Sequence, residues 1–354
     1  MQFGFQFFPD VREDVKPPDQ YYREAMHLIG LCDEYGFSHV RTVEHYFHHW
    51  GGYSSNPIVF LTAASQHTKT ARMVTGAVLP AFNSPLKLAS DLGMLDAFCG
   101  GRLDIGFARA FLPQEFRHFE VDIDESVERF EEGIAQVQLL LEEENASSSG
   151  KFHSFENVTT FPRPTQKPRP NFYVAAVGTP ASFERAGTMG HWIMAIPGVG
   201  SDPIALLETY RGAWAKAGHA GQPKMMMAVF MFCHEDGAVA RRTAKPLIEG
   251  HFAAIADAMT EYSDGSPSDA YKNYDKMREK ILAQTMESQI ECGAAFVGTP
   301  SEIIEQLGAF DAACGGCDEL SMQVNYFGMD VETAEASIRL FGEKVVPHFS
   351  AGQG

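Results

Sequence analysis

Strand-like and helix-like segments alternate along this chain almost to its end, and no other feature of the sequence restricts the fold so strongly. Short runs rich in β-branched and aromatic residues fall at 2–8, 38–43, 72–79, 102–107, 171–177, 191–196, 224–232 and 318–324. Between them, 19–35, 124–143, 180–189, 202–217, 236–258, 300–313 and 331–345 carry apolar residues at helical spacing, and Ser84-Pro85 opens another helix that ends before Gly100. Neighbouring parallel strands need a long crossover, which such helices supply, so the pattern predicts an α/β fold with a parallel sheet. Eight strands with no linker predict a closed (β/α)8 TIM barrel, with residues 1–354 as a single domain. Two polar stretches break the rhythm and read as insertions: 144–170, rich in Ser and Pro, and 260–290, placed to act as a lid over the barrel mouth.

Charge narrows the partners. Lys and Arg number 28 against 46 Asp and Glu, a formal net charge of −18, and such a surface repels phosphate backbones and anionic lipid. Nucleic acid and membrane are therefore excluded as partners, and a small-molecule substrate is expected. The first ten residues alternate like a strand instead of forming a signal peptide, and no stretch approaches the roughly 20 apolar residues of a membrane span. Six cysteines in a chain this long indicate a reduced, cytoplasmic protein. Cys314-Gly315-Gly316-Cys317 follows an apolar helix instead of opening one, so its glycines read as a helix C-cap, not a redox motif.

In a barrel of this kind, chemistry gathers just beyond the C-terminal ends of the strands. Glu44, His45, His48 and His49 fall there after the second strand. A zinc protease order H-E-x-x-H is absent, and Gly51, Gly52, Ser54 and Pro57 indicate a loop, so no metal is predicted. G-x-S-x-G, Walker and G-x-G-x-x-G patterns are also absent. Arginines bracket the fourth strand: Arg102 enters at the structural face, whereas Arg109 emerges at the catalytic face, where it can meet a phosphate or form a plain ion pair. Val177-Gly178-Thr179-Pro180 recurs as Val297-Gly298-Thr299-Pro300, each a Thr N-cap with Pro at the first helical position.

Taken together, Arg41-Thr42-Val43-Glu44-His45-Tyr46-Phe47, Leu79-Pro80 followed by Ser84-Pro85, Gly101 to Arg109, and Phe296 to Pro300 resemble the bacterial luciferase-like flavin-dependent monooxygenases, from Phe3 to Phe349. The likeness is greatest to the luciferase α-subunit branch. It implies a (β/α)8 barrel that takes FMN as FMNH2 from a separate NAD(P)H:flavin reductase and uses O2 as co-substrate, through a C4a-(hydro)peroxyflavin. It implies His45 as the catalytic imidazole, Arg109 on the FMN phosphate with Val177, Gly178, Thr179 and Ser182, and a strand-three bulge with a cis peptide at Thr75-Gly76 under the flavin. A homodimer is expected from the same resemblance. Ala108 stands where some luciferases have a reactive cysteine, Tyr46 replaces a second histidine and Val177 an acidic residue; these departures point away from an aldehyde substrate and light emission.

A reactive flavin–oxygen adduct survives only where water is kept out, so apolar walls are expected from Phe7, Phe8, Phe47, Phe107, Phe111, Trp192 and Phe327. Phe7, Phe47, His48, Phe111 and Trp192 are the expected substrate pocket. Imidazole, which ordinarily titrates near 6.5, suits proton transfer in either direction, and His45 supplies one here. Glu44, its neighbour on extended backbone, points the other way and packs structurally. The expected reaction is oxygenation of a mid-sized apolar or aromatic substrate such as a secondary metabolite. Alternatives within the same fold are hydride transfer with deazaflavin F420 and a non-catalytic flavin-binding subunit.

Overall fold

The computed structural model describes residues 1–176, 179–198, 202–266, 268–272 and 274–350. Eight parallel strands close a barrel: β1 (Gln2–Phe7), β2 (His39–Thr42), β3 (Arg72–Thr75), β4 (Leu103–Phe107), β5 (Asn171–Ala175), β6 (Trp192–Ala195), β7 (Met225–Cys233) and β8 (Glu319–Gln323). Each pairs with the next, and β8 pairs with both β7 and β1, which completes the ring. These are the eight strands expected from the sequence. β6 covers only the start of β7, and an additional parallel strand, Ala295–Gly298, takes the upper half, from Phe230 to Cys233. That strand is absent from the sequence-based expectation.

Outward-facing residues such as Phe5, Phe7, Val40 and Ile105 join one large apolar layer with the surrounding helices. The barrel interior is mixed. Val74, Ala77, Tyr173, Met194 and Met226 form an inner apolar cluster. Below it lie an ion pair of Arg72 with Asp104 and a hydrogen bond from the Tyr173 hydroxyl to Glu319 at 2.9 Å. Arg102 donates to the carbonyls of Cys99, Ala71 and Ser65, a structural role at the N-terminal rim.

Residues 144–170 contain an antiparallel hairpin of Ala146–Ser149 with Ser154–Val158. The 260–290 stretch folds against the mouth: Tyr262 and Tyr271 donate their hydroxyls to the carbonyls of Phe111 and Ala110. Phe8, Val43, Trp50, Leu79, Phe116, Met259, Tyr262 and Tyr271 thereby make a second apolar cluster at the C-terminal end of the barrel. Among the described residues no helix is long and apolar enough to cross a membrane.

Candidate active site

His45 stands three residues past the end of β2. Its Nδ1 is 3.1 Å from Oε1 of Glu115, which also accepts the Tyr46 N–H at 2.9 Å. Because Oε1 is an acceptor, Nδ1 carries the ring proton and Nε2 keeps a lone pair. Nε2 has no hydrogen-bond partner among the described residues, and only 11% of the side chain reaches solvent, so the ring is enclosed yet accessible. Trp50, Phe8 and Phe111 surround it, with ring centroids 4.5, 5.7 and 5.9 Å away.

Glu44 turns the other way and holds the β3 loop. Its carboxylate accepts the Tyr46 hydroxyl at 2.5 Å, the Leu79 N–H at 2.9 Å and the Asn83 amide at 3.0 Å. Burial raises its pKa to about 7, against the lowering effect of those donors.

β3 is interrupted after Thr75, as the expected bulge requires. Pairing with β4 resumes only at Val78–Phe107, and the Thr75 hydroxyl fills the gap by bonding both the carbonyl and the N–H of Gly106. That hydroxyl is therefore committed to the backbone, so Thr75 would meet a cofactor only through the bulge itself. The cis peptide also lies one bond later than expected, at Gly76–Ala77. Gly76 tolerates no side chain, because a Cβ would sit 2.0 Å from Nε of Arg41.

Arg109 follows β4 by two residues, and Thr179 follows β5 by four, so adjacent paired strands deliver both to the same rim. The Arg109 guanidinium lies over the Tyr271 ring, 4.4 Å from its centroid. Thr179 N-caps the Pro180–Met189 helix, and its hydroxyl is 2.6 Å from that of Ser182. Val177 and Gly178 lie outside the described residues. The second copy of the motif is a closed capping box, with Glu302 Oε2 accepting the Thr299 N–H at 2.7 Å, so its donors serve the helix alone.

The aromatic expectations divide by strand position. Phe111 reaches His45 and Trp50. Phe7 does not enter the mouth: it is fully buried outside the barrel against Phe60, and Phe8, one residue on, faces His45 instead. Trp192 opens β6 and so lies at the opposite end, under the Lys224 ammonium and against Tyr173. Phe47 is 58% exposed and packs on His118 and Phe119 at the outer rim. His48 also sits at the rim. Its Nδ1 accepts the Trp50 N–H and its Nε2 lies 3.2 Å from Asp257. His48, His49 and Asp257 gather three ligand atoms within 4.8 Å. A cation on His48 Nε2 would nonetheless displace the ring's one proton while Nδ1 still faced an N–H, so the group is a poor ligand set.

Several residues of the mouth carry no motif. Asp10 and His251 form a second imidazole–carboxylate pair at 2.5 Å. Arg41 donates to Gln6 Oε1 at 2.5 Å and to the Gly76 carbonyl at 3.0 Å. Gln6 donates to Gln323 at 3.1 Å, and Gln323 approaches His251 Nδ1 at 3.5 Å, so a polar rung crosses the barrel beneath the mouth. Burial lowers the Arg41 pKa to about 10. Asp10 lies just past β1, where the strand-end rule would have marked it. Glu115 and His251 lie within helices and give no local signal.

A sequence profile of luciferase-like monooxygenases matches residues 1–315. The crystal structure of monooxygenase RslO1 from Streptomyces bottropensis superposes with a TM-score of 0.88 at 39% identity, covering 99% of this chain and 100% of that one. The oxygenase component of a flavin-dependent trigonelline monooxygenase from Acinetobacter baylyi is 25% identical over 99% of this chain and 96% of its own length. An FMNH2-dependent dimethylsulfone monooxygenase from Pseudomonas putida is also 25% identical, covering 86% of this chain and 85% of its own.

Proposed function

The chain belongs to the luciferase-like monooxygenase family, and from that premise we propose that it is the oxygenase component of a two-component FMNH2-dependent monooxygenase. The observation that carries this reading is His45, whose Nδ1 is tied to the buried Glu115 while Nε2 has no partner among the described residues, past the end of β2, the strand paired with the bulged β3. A group held in one tautomer, with one free lone pair in an aromatic enclosure, can give or take a single proton at a defined atom.

The residues fit FMN by their chemistry. Arg109, the Thr179 and Ser182 hydroxyls and the N-terminus of the Pro180–Met189 helix form a donor set suited to a phosphate dianion. Gly76 and Ala77, with His45 beside them, would take the ring system. Bound reduced flavin supplies the electrons that activate O2 and the means of passing one oxygen atom to a substrate. The protein binds, orients and shields: Phe8, Trp50, Phe111 and the 260–290 segment exclude water, and the lone pair of His45 Nε2 can receive a proton and return it. The reading includes a separate NAD(P)H:flavin reductase, as the component name of the trigonelline relative suggests, a homodimer, and a mid-sized apolar or aromatic substrate. It treats the chain as one barrel domain with insertions at 144–170 and 260–290.

Anaerobic titration tests this directly. FMNH2 is expected to bind more tightly than reduced F420, and labelled dioxygen to appear in the product once substrate and air are supplied. Equal or tighter binding of F420, or product without label, overturns it.

A further inference from the structure

On the side of the mouth built by β7, β8 and β1, away from Arg109 and Thr179, the Asp10–His251 pair repeats the design of Glu115–His45. His251 Nδ1 is 2.5 Å from Asp10 Oδ2, and the other carboxylate oxygen accepts the Phe327 N–H at 2.6 Å. Asp10 is thus fixed as an acceptor, Nδ1 keeps the ring proton, and Nε2 presents a lone pair. Nε2 has no hydrogen-bond partner among the described residues, and 10% of the side chain reaches solvent. Phe230 and Phe8 wall the ring at centroid distances of 5.1 and 5.4 Å, and Trp50 lies 6.3 Å away. Phe8 and Trp50 also touch His45, so the two imidazoles share one aromatic partition. His45 follows β2, the strand paired with the bulged β3, whereas Asp10 follows β1, which pairs with β2 and β8.

We propose that His251 is a general base that receives the substrate by an acidic hydroxyl, a phenol or an enol, on the side of the mouth facing away from the cofactor donors. This deepens the monooxygenase reading of the same mouth and rests on it. In the step itself the substrate O–H bond breaks, its electron pair stays on oxygen, and the proton bonds to His251 Nε2. Asp10 then faces an imidazolium, so the positive charge is matched by a carboxylate already in place. The oxyanion pushes electron density into the ring or double bond that carries it, which makes an adjacent carbon the nucleophile toward the oxygen that flavin and O2 supply. The flat walls of Phe8 and Trp50 suit an aromatic or conjugated body, and the single acceptor that His251 Nε2 offers on its side suits one hydroxyl. Had the pair been structural only, its second nitrogen would need no opening.

The full chain without flavin is titrated with p-nitrophenol at a pH below the probe's own pKa, where free probe is colourless. Wild type is expected to bind it as the yellow phenolate, saturably. His251→Gln abolishes the phenolate band, and Asp10→Asn weakens phenolate binding by about tenfold or more, the loss of one charge-assisted hydrogen bond. His45→Gln retains the band. Binding of the probe in its neutral form by wild type, or a phenolate band that survives in His251→Gln, overturns the proposal. FMN affinity measured on the same proteins separates the two readings. A phenolate band with no FMN binding sinks the flavin assignment alone, whereas FMN binding with no band sinks the His251 assignment alone.

Discussion

Glu115 Oε1 accepts from both His45 Nδ1 and the Tyr46 backbone N–H, while its Oε2 is buried without a partner. One oxygen therefore sets the tautomer of the imidazole and the path of the chain beside it. Glu115→Gln keeps the size of the side chain and removes its charge. Turnover should fall roughly 10- to 100-fold, the range seen when the group orienting a working imidazole is changed, with FMN affinity within about twofold of wild type. Glu115→Ala should also lower stability by about 1–3 kcal/mol, because the Tyr46 N–H is left unpaired. Steady-state turnover with an added flavin reductase, alongside FMN titration, checks both; a parallel loss of FMN binding in the Gln variant would mean that Glu115 supports the fold and not His45.

Glu44 makes the stability of the fold depend on pH. Burial raises its folded pKa to about 7, above the unfolded value, so the folded state holds the extra proton between the two. Stability from this group is greatest below the unfolded pKa and falls as pH rises toward about 7, by up to roughly 3 kcal/mol. Glu44→Gln removes the titration, but its amide must point a donor at the Leu79 N–H or at the Tyr46 and Asn83 donors, at a cost of about 1–3 kcal/mol. Urea unfolding should show the variant clearly weaker at about pH 5 and close to wild type, or stronger, at about pH 8. A difference that does not change with pH refutes the assignment.

The parts of this molecule that were readable from sequence are those governed by short-range rules. Parallel strands buried on both faces appear as apolar runs, which is why β2 and β4 were plain and why strand ends singled out the Glu44–His49 stretch and Arg109, whose roles came only with the family resemblance. Ala295–Gly298 was hidden because four residues before a Thr-Pro helix start read equally well as a capping loop. The 146–158 hairpin was hidden because Ala-Ser-Ser-Ser has no alternation to detect. Parity explains the exchange of Phe7 for Phe8: on a strand, a single residue decides between helix layer and barrel interior. His45 and Glu115 are 70 positions apart, and Asp10 and His251 are 241 apart, so those pairings arise only when the barrel closes.

Acid should expose a third buried group. His39 lies inside the barrel against Gly4, where a Cβ would come within 2.4 Å of the imidazole. Burial, with Arg41 and Arg72 nearby, lowers its pKa from 6.5 to about 3, so the ring is neutral in the folded chain. A depressed histidine stabilises fully above the unfolded pKa, and that contribution is lost as pH falls toward about 3, up to roughly 5 kcal/mol. His39→Gln is expected to flatten the fall in urea midpoint between about pH 6.5 and about pH 4, and Gly4→Ala to cost about 1–3 kcal/mol at any pH by overpacking. An unchanged acid slope in the Gln variant would place the proton uptake elsewhere.

Arg109 decides whether the rim formed by β4 and β5 holds a phosphate. Its guanidinium lies over the Tyr271 ring, an arrangement that fixes its plane at the rim. Thr179 and the N-terminus of the Pro180–Met189 helix come from the neighbouring strand, so a phosphate there would meet a cation, a hydroxyl and a helix dipole together. Removing the cation removes the strongest of the three. Arg109→Ala should weaken FMN by roughly tenfold to a hundredfold, as the loss of a charge-assisted hydrogen bond implies, and riboflavin, which lacks the phosphate, by less than about threefold. Arg109→Lys should fall between, since an ammonium keeps the charge and loses the fork geometry and the stacking on Tyr271. Fluorescence titration of both flavins against the three proteins reads the comparison, and equal losses for FMN and riboflavin would show that Arg109 braces the 260–290 segment through Tyr271 instead of touching the phosphate.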